Sequence, residues 1–335
     1  MSTPGYIQEL ERITYDESLI CERIAEQRPF VTHIEHWPAL HKWTPGYLGQ
    51  SVGEKTISVV ERVSGEGKSF TFQEWITLIT TNLRWRETYA GYTYVLNRMY
   101  SRIHGIDEGY KRLFDDIEIP SFVSRERLHA INLWCTSGRY DNGNHFDSNA
   151  CHNINIQIIG KKRIFLFDPD QCESTHLVPI MSELSPPFLP GGAAPYGDDT
   201  DLSDARAFQV TLTKGDMLYI PPLWMHWFRH DDEFQLNVNQ WWFPEILKLS
   251  NASLDWAFAT ALVRAMYERD PDAGMEGAFK AIQGLSKETI EVLLDVEKQL
   301  IKVGATDPVE VVNFRMGEQN KPIGPDVLDI TQSYK

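Results

Sequence analysis

Three side chains carry the first chemical signal in this sequence. They are His145 and Asp147 in His145-Phe146-Asp147, and His226 at the end of Tyr219-Ile220-Pro221-Pro222-Leu223-Trp224-Met225-His226. Two imidazoles and one carboxylate can occupy one face of an octahedron and leave the opposite face open, a donor set that suits non-haem ferrous iron. The open positions could then hold an oxidisable co-substrate and dioxygen side by side. His-x-Asp alone is a weak signal, and the chain carries another in His230-Asp231-Asp232.

The flanking residues separate the two. Ahead of His145, Ser137-Gly138-Arg139-Tyr140-Asp141-Asn142-Gly143-Asn144 is turn-rich. Behind it, Asn153-Ile154-Asn155-Ile156-Gln157-Ile158-Ile159 alternates polar and apolar residues as a half-buried strand does. A ligand pair at the entrance of a strand projects both side chains the same way, because residues two apart share a face. His230-Asp231-Asp232 runs on into Glu233 and reads instead as a solvated hairpin turn.

The rest of the chain divides into three regions. In residues 1–127, apolar spacing through Ile7, Leu10, Ile13, Leu19, Ile20 and Ile24 predicts a helix over 5–28. A short strand at 28–32 follows, then a turn leading into a helix at 37–48. Strands are predicted at 55–63 and 92–100, with a helix near 71–83 between them. Residues 128–245 change character, with short β-rich runs at 130–136, 153–159, 162–167, 207–212, 217–220, 224–229 and 234–242 between turns rich in Gly, Asn, Asp and Pro. Such a succession predicts a sandwich or barrel. The Pro-, Gly- and Asp-rich stretch 169–205 is either a lid or substrate rim, or disordered. Residues 246–335 hold two amphipathic helices, 251–269 and 286–303, whose apolar faces must be buried on the barrel or on a second subunit.

The chain has 335 residues, 42% of them hydrophobic, enough for a substantial core. Its net charge of −15 weighs against a nucleic-acid partner, and Lys161-Lys162-Arg163 is the only compact basic cluster. No run of eighteen apolar residues occurs and Met1-Ser2-Thr3-Pro4-Gly5 opens no signal peptide, so a soluble cytoplasmic protein with no membrane contact is expected. Cys21, Cys135, Cys151 and Cys172 lack Cys-x-x-Cys spacing and read as reduced, packed thiols.

Further motifs surround the three candidate ligands. Gly160-Lys161-Lys162-Arg163-Ile164-Phe165 follows the strand, Gly215-Asp216 and Tyr219-Ile220-Pro221 precede His226, and Asn237-Val238-Asn239-Gln240-Trp241 closes the region. Together with Trp37-Pro38-Ala39-Leu40, Trp43 and Leu113-Phe114-Asp115-Asp116, this order resembles the JmjC-type, cupin-like Fe(II)/2-oxoglutarate oxygenases from about Arg28 to Phe243. Within them it looks most like the branch containing the asparaginyl hydroxylase that inhibits hypoxia-inducible factor.

The resemblance implies a mainly β fold with α elements: a double-stranded β-helix, or jelly roll, with an N-terminal α/β region and C-terminal helices. It places His145, Asp147 and His226 on Fe(II) and Lys162 on the distal carboxylate of 2-oxoglutarate. A dianion entering a barrel needs a buried cation to offset its desolvation, and the period of two turns Lys162 inward when Lys161 and Arg163 point out. Asn153 and Asn239 match positions near the metal-bound carboxylate. Asn142 stands where relatives often carry a Thr or Ser that contacts the distal carboxylate. Tyr94 or Tyr100 could offer a phenol to the same carboxylate. Trp241 is expected beneath the site and His152 on its rim, in a turn longer than that hydroxylase has.

The implied reaction joins 2-oxoglutarate and dioxygen to hydroxylation, with succinate and carbon dioxide as co-products. The expected target is an amino-acid side chain in a protein or peptide. An N-methyl demethylase, a hydroxylase of a small molecule or free amino acid, and a silent ligand-binding cupin are the alternatives. Relatives pair through C-terminal helices, so a homodimer is expected through 251–269 and 286–303.

Overall fold

The alternation in Asn153-Ile154-Asn155-Ile156-Gln157-Ile158 divides the interior of the molecule into two chemically different halves. Ile154, Ile156 and Ile158 turn to one side and join Trp37, Trp75 and Tyr219 in an apolar core. The asparagines turn to the other side, into the space between two sheets. The computed structural model describes residues 4–61, 67–81, 88–95, 113–145, 147, 151–171, 202–230 and 234–245. The expected helices at 251–269 and 286–303, and the stretch 172–201, lie outside the described residues.

In chain order the elements are β1 (Tyr6–Glu9), α1 (Glu17–Ala25), β2 (Phe30–His33), α2 (Ala39–Lys42), α3 (Pro45–Val52), β3 (Thr56–Glu61), β4 (Gly67–Thr71), α4 (Phe72–Thr81) and β5 (Thr88–Val95). They continue with β6 (Leu128–Ser137), β7 (Tyr140–His145), β8 (His152–Ile159), β9 (Lys162–Phe167), β10 (Arg206–Leu212), β11 (Asp216–Ile220), β12 (Met225–His230) and β13 (Phe234–Trp242). The larger sheet has eight strands in the order β2-β11-β8-β13-β6-β5-β3-β4, and the smaller has five in the order β1-β10-β9-β12-β7. From β6 onward the antiparallel strands are shared between the sheets, so that β6, β8, β11 and β13 face β7, β9, β10 and β12. This is a jelly roll. Between the sheets lie Val31, Ile164, Leu166, Leu218, Ile220 and Phe228. Helices α1 to α4 cover the outer face of the larger sheet through Ile20, Leu40, Leu48 and Trp75.

The expected helix over 5–28 is instead a strand and a shorter helix. The smaller sheet captures the first part, with β1 pairing in parallel with β10 from Tyr6↔Arg206 to Glu9↔Gln209. Asp16 then starts α1 by accepting the Leu19 amide at 2.9 Å, a normal helix N-cap. The apolar residues that suggested one face separate accordingly: Leu10 packs between the sheets, Ile13 against the outer core, and Ile7 is exposed. Strand β4 and strand β7, the latter read as turn, are further additions. No described helix is long and apolar enough to cross a membrane.

Two of the motif stretches prove to be structural braces rather than chemistry. In Lys214-Gly215-Asp216, Asp216 accepts the Thr213 amide and hydroxyl and pairs with Arg12 and His33. Gly215 has φ +86°, and a Cβ there would meet the His33 Cε1 at 2.6 Å and the Ile34 carbonyl oxygen at 2.8 Å, so glycine is required. In Leu113-Phe114-Asp115-Asp116, the buried Asp116 carboxylate accepts from Lys42 Nζ at 2.6 Å, Tyr47 Oη at 2.7 Å and Trp43 Nε1 at 3.0 Å. Burial pushes the Asp116 carboxyl up, but Lys42, Tyr47 and Trp43 together hold it below its ordinary value. Its stabilisation is therefore present at neutral pH and fades as pH falls through that lowered pKa. Asp116→Ala strands the Trp43 and Tyr47 donors and is expected to cost about 2–3 kcal/mol at neutral pH, less in acid. Urea denaturation at both pH values measures this, and a loss below about 0.5 kcal/mol would mean that Asp116 does not brace these helices.

Candidate active site

Strand β12 presents His226, Phe228 and His230 on one face. Antiparallel pairing sets His226 opposite His145 on β7 and opposite Leu166 on β9. The His226 ring is buried, and its Nδ1 lies 2.9 Å from the Trp224 carbonyl oxygen. That contact assigns the proton to Nδ1 and leaves the lone pair on Nε2. Burial, with Lys162 adding to it, pushes the His226 imidazole down to about 4 against the opposing Trp224 hydrogen bond. The ring is thus neutral near pH 7, the form that binds a metal. Its Nε2 lies 3.8 Å from Asp147 Oδ1, whose side chain is only 13% exposed. Two ligand bonds of about 2.0–2.2 Å span such a gap, so His226 and Asp147 could share one ion. In the strand register His145 is the residue paired with His226.

From Asp147 a continuous line of amides runs between the sheets. Asn153 Nδ2 donates to Asp147 Oδ2 at 3.2 Å, and Asn239 Nδ2 donates to Asn153 Oδ1 at 2.8 Å. Asn239 Oδ1 accepts in turn from Asn155 at 2.9 Å and from Asn237. The oxygens of Asn155 and Asn237 each accept from Lys162 Nζ at 2.8 Å. Every amide orientation in the chain is thereby fixed by its neighbours. Lys162 is 2% exposed whereas Lys161 and Arg163 face solvent. Gly160, at φ +74°, makes the corner between β8 and β9 that brings Lys162 inside. No described carboxylate pairs with Lys162, whose ammonium lies 4.7 Å from the centre of the Phe228 ring. Burial drives its pKa well below the ordinary lysine value.

The remaining sequence-predicted residues fall in varied places. On β7, two residues, Asn142 and Gly143, oppose the single Phe228 in a β-bulge between Trp227↔Asn144 and Arg229↔Asp141. On β5, Tyr94 pairs with Ile131 and Thr93 with Asn132. Ile131 belongs to the outer core. The side chains of Tyr94, Asn142 and His145 are outside those described, as is Tyr100. Trp241 stacks on His129 with centroids 6.4 Å apart.

Two histidines depart from expectation. His152 is not a rim residue: it is buried, with Nδ1 2.7 Å from the Tyr219 hydroxyl and its ring stacked on Trp242. Counting by two from Ile154 puts it on the outer face. His230 is not in a solvated turn: it is buried opposite Lys162, with Nδ1 3.2 Å from both Thr136 Oγ1 and Gln235 Oε1. Sequence reasoning also left Asn155 and Asn237 without a role, although Asn153-Ile154-Asn155 and Asn237-Val238-Asn239 both repeat at the strand period and could have pointed to them.

Comparison with known proteins meets this geometry. Residues 18–247 match the cupin-like domain. The chain belongs to that family. It is 27% identical over 237 residues to Jumonji C domain-containing protein 5 of Drosophila melanogaster, covering 66% of this chain and 56% of that protein. Identity is 28% over 234 residues with lysine-specific demethylase JMJ30 of Arabidopsis thaliana, covering 63% and 48%. With human tRNA wybutosine-synthesizing protein 5 it is 26% over 241 residues, covering 65% and 71%. The chain thus spans about half the length of the first two, and what each relative acts on is a property of that relative.

Proposed function

We propose that this chain is an Fe(II)- and 2-oxoglutarate-dependent dioxygenase that hydroxylates an amino-acid side chain in a protein or peptide, releasing succinate and carbon dioxide. One observation carries the reading: a buried Lys162 without a described acidic partner, joined by an unbroken line of amides to the carboxylate beside His226. An unpaired buried cation is costly to maintain and calls for an anionic ligand.

Iron and the keto acid, when bound, would supply the oxidising chemistry. The chain's own residues would do the rest. His226 offers Nε2, Asp147 offers a carboxylate oxygen, and His145 completes the set across the β12–β7 ladder. Asn153 holds the far oxygen of Asp147 in place. Lys162 receives the distal carboxylate and offsets its desolvation. Ile164, Leu166, Ile220 and Phe228 keep water out of the interval between them. A homodimer through 251–269 and 286–303 and a cytoplasmic location belong to the same proposal.

A second reading, N-methyl demethylation, draws support from likeness to a protein named as a lysine-specific demethylase. It uses the same site, but hydroxylation of an N-methyl carbon ends in formaldehyde. A tRNA substrate, suggested by another relative's name, sits poorly with a net charge of −15. The test is incubation of the whole chain with Fe(II), 2-oxoglutarate and a peptide library. Keto-acid-dependent gain of one oxygen mass is expected on a peptide, with succinate in equal amount. Formaldehyde without retained oxygen would replace hydroxylation by demethylation. No succinate with any peptide would overturn the reading in favour of a small-molecule substrate or a silent cupin.

A further inference from the structure

Down the inner face of β13, Asn239, Gln235 and the intervening Asn237 stand at successive positions, about 6.6–6.8 Å apart for each step of two residues. Each belongs to a different level of the pocket. Asn239 bonds Asn153, the partner of Asp147. Asn237 bonds the Lys162 ammonium. Gln235 bonds His230. His230 therefore lies one level farther from Asp147 than the ammonium does. Its ring reaches from β12 in the smaller sheet to Thr136 on β6 and Gln235 on β13 in the larger one, closing the gap between the sheets.

We infer that His230, held by Thr136 and Gln235, is the floor of the Lys162 pocket and sets the chain length of the keto acid that the pocket accepts. The inference rests on the proposed 2-oxoglutarate dependence and adds to it a specificity-determining residue. A dicarboxylate spanning from Asp147 and His226 to Lys162 ends at the ammonium. One methylene more would drive its carboxylate into the imidazole. His230 and Lys162 are cross-strand partners, so no residue intervenes along that rung of the ladder. Removing the ring opens space beside two polar groups able to receive a displaced carboxylate. These are the Thr136 hydroxyl and Gln235 Nε2, a buried donor with no partner among the described residues.

The experiment titrates 2-oxoglutarate and 2-oxoadipate, its homologue one methylene longer, into the Mn(II)-loaded whole chain by calorimetry. Wild type is expected to prefer 2-oxoglutarate by about 10–200-fold, the range a single methylene commands in a fitted pocket. His230→Ala is expected to reduce that preference at least tenfold, mainly by strengthening 2-oxoadipate binding. His230→Gln fills much of the same volume, retains a partner for Thr136, and is expected to keep most of the preference. Should the alanine variant fail to fold, His230→Ser opens the same space while keeping a hydroxyl partner for Thr136 and Gln235. An unchanged preference in the opened variants, with wild type binding 2-oxoglutarate, overturns the floor alone. Wild type that binds neither acid overturns the dioxygenase reading, and this inference with it.

Discussion

Lys162→Met is expected to weaken 2-oxoglutarate binding to the metal-loaded protein by two to three orders of magnitude while leaving the chain folded. Removing one partner of a buried charge pair costs about 3–5 kcal/mol, because the other charge is left desolvated and alone. Stability should respond far less. Methionine strands the oxygens of Asn155 and Asn237, each worth about 1–3 kcal/mol, but relieves the burial of an amine whose pKa is already driven well down. The two effects oppose each other and are of the same order.

The lowered pKa makes a second, independent readout. In the ligand-free fold Lys162 loses its proton more readily than an ordinary lysine, and a bound dianion must raise its pKa again. Between those two values, binding takes up a proton, so affinity falls as pH rises through that window. Calorimetry of 2-oxoglutarate binding in two buffers of different ionisation enthalpy should report proton uptake in wild type and none in Lys162→Met. Wild type that binds 2-oxoglutarate without proton uptake would mean that the ammonium is charged beforehand or that the acid sits elsewhere.

How far such a pocket can be read from sequence depends on what makes each residue face inward. Lys162 is legible because β8 and β9 obey the period of two and glycine marks the corner between them. The asparagine line is legible in part: Asn153 and Asn239 stand out, while Asn155 and Asn237 need the strands to be paired. Strand β7 is not legible. Asp141-Asn142-Gly143-Asn144 has turn composition, and only pairing with β12, through a bulge, makes it a strand. His230 misleads for the opposite reason, since the acidic residues after it look solvated but its own burial comes from lying between β9 and β7. The helix expected over 5–28 fails likewise, because the free edge of β10 outcompetes a local apolar spacing that no cap supports before Asp16.

Asp147→Ala is expected to lower affinity for a divalent metal by two orders of magnitude or more, since it removes the only charge among the three proposed ligands. More telling is its coupling with Asn153, which bonds Asp147 Oδ2 and so leaves Oδ1 toward His226. Partners that orient a metal ligand are commonly worth about 10–100-fold in affinity. Asn153→Ala alone is expected to fall in that range for Mn(II) binding. In an Asp147→Ala background the same substitution has no carboxylate left to orient, and its further effect should be no more than two- to threefold. Asn153→Ala also strands the Asn239 amide, so urea denaturation of each variant must accompany the metal titration to separate lost affinity from lost fold. Additive effects would mean that Asn153 reaches the ion or the keto acid directly. Coupled effects place it behind the carboxylate, where a single amide line joins the metal ligand to the lysine that receives the other end of the same co-substrate.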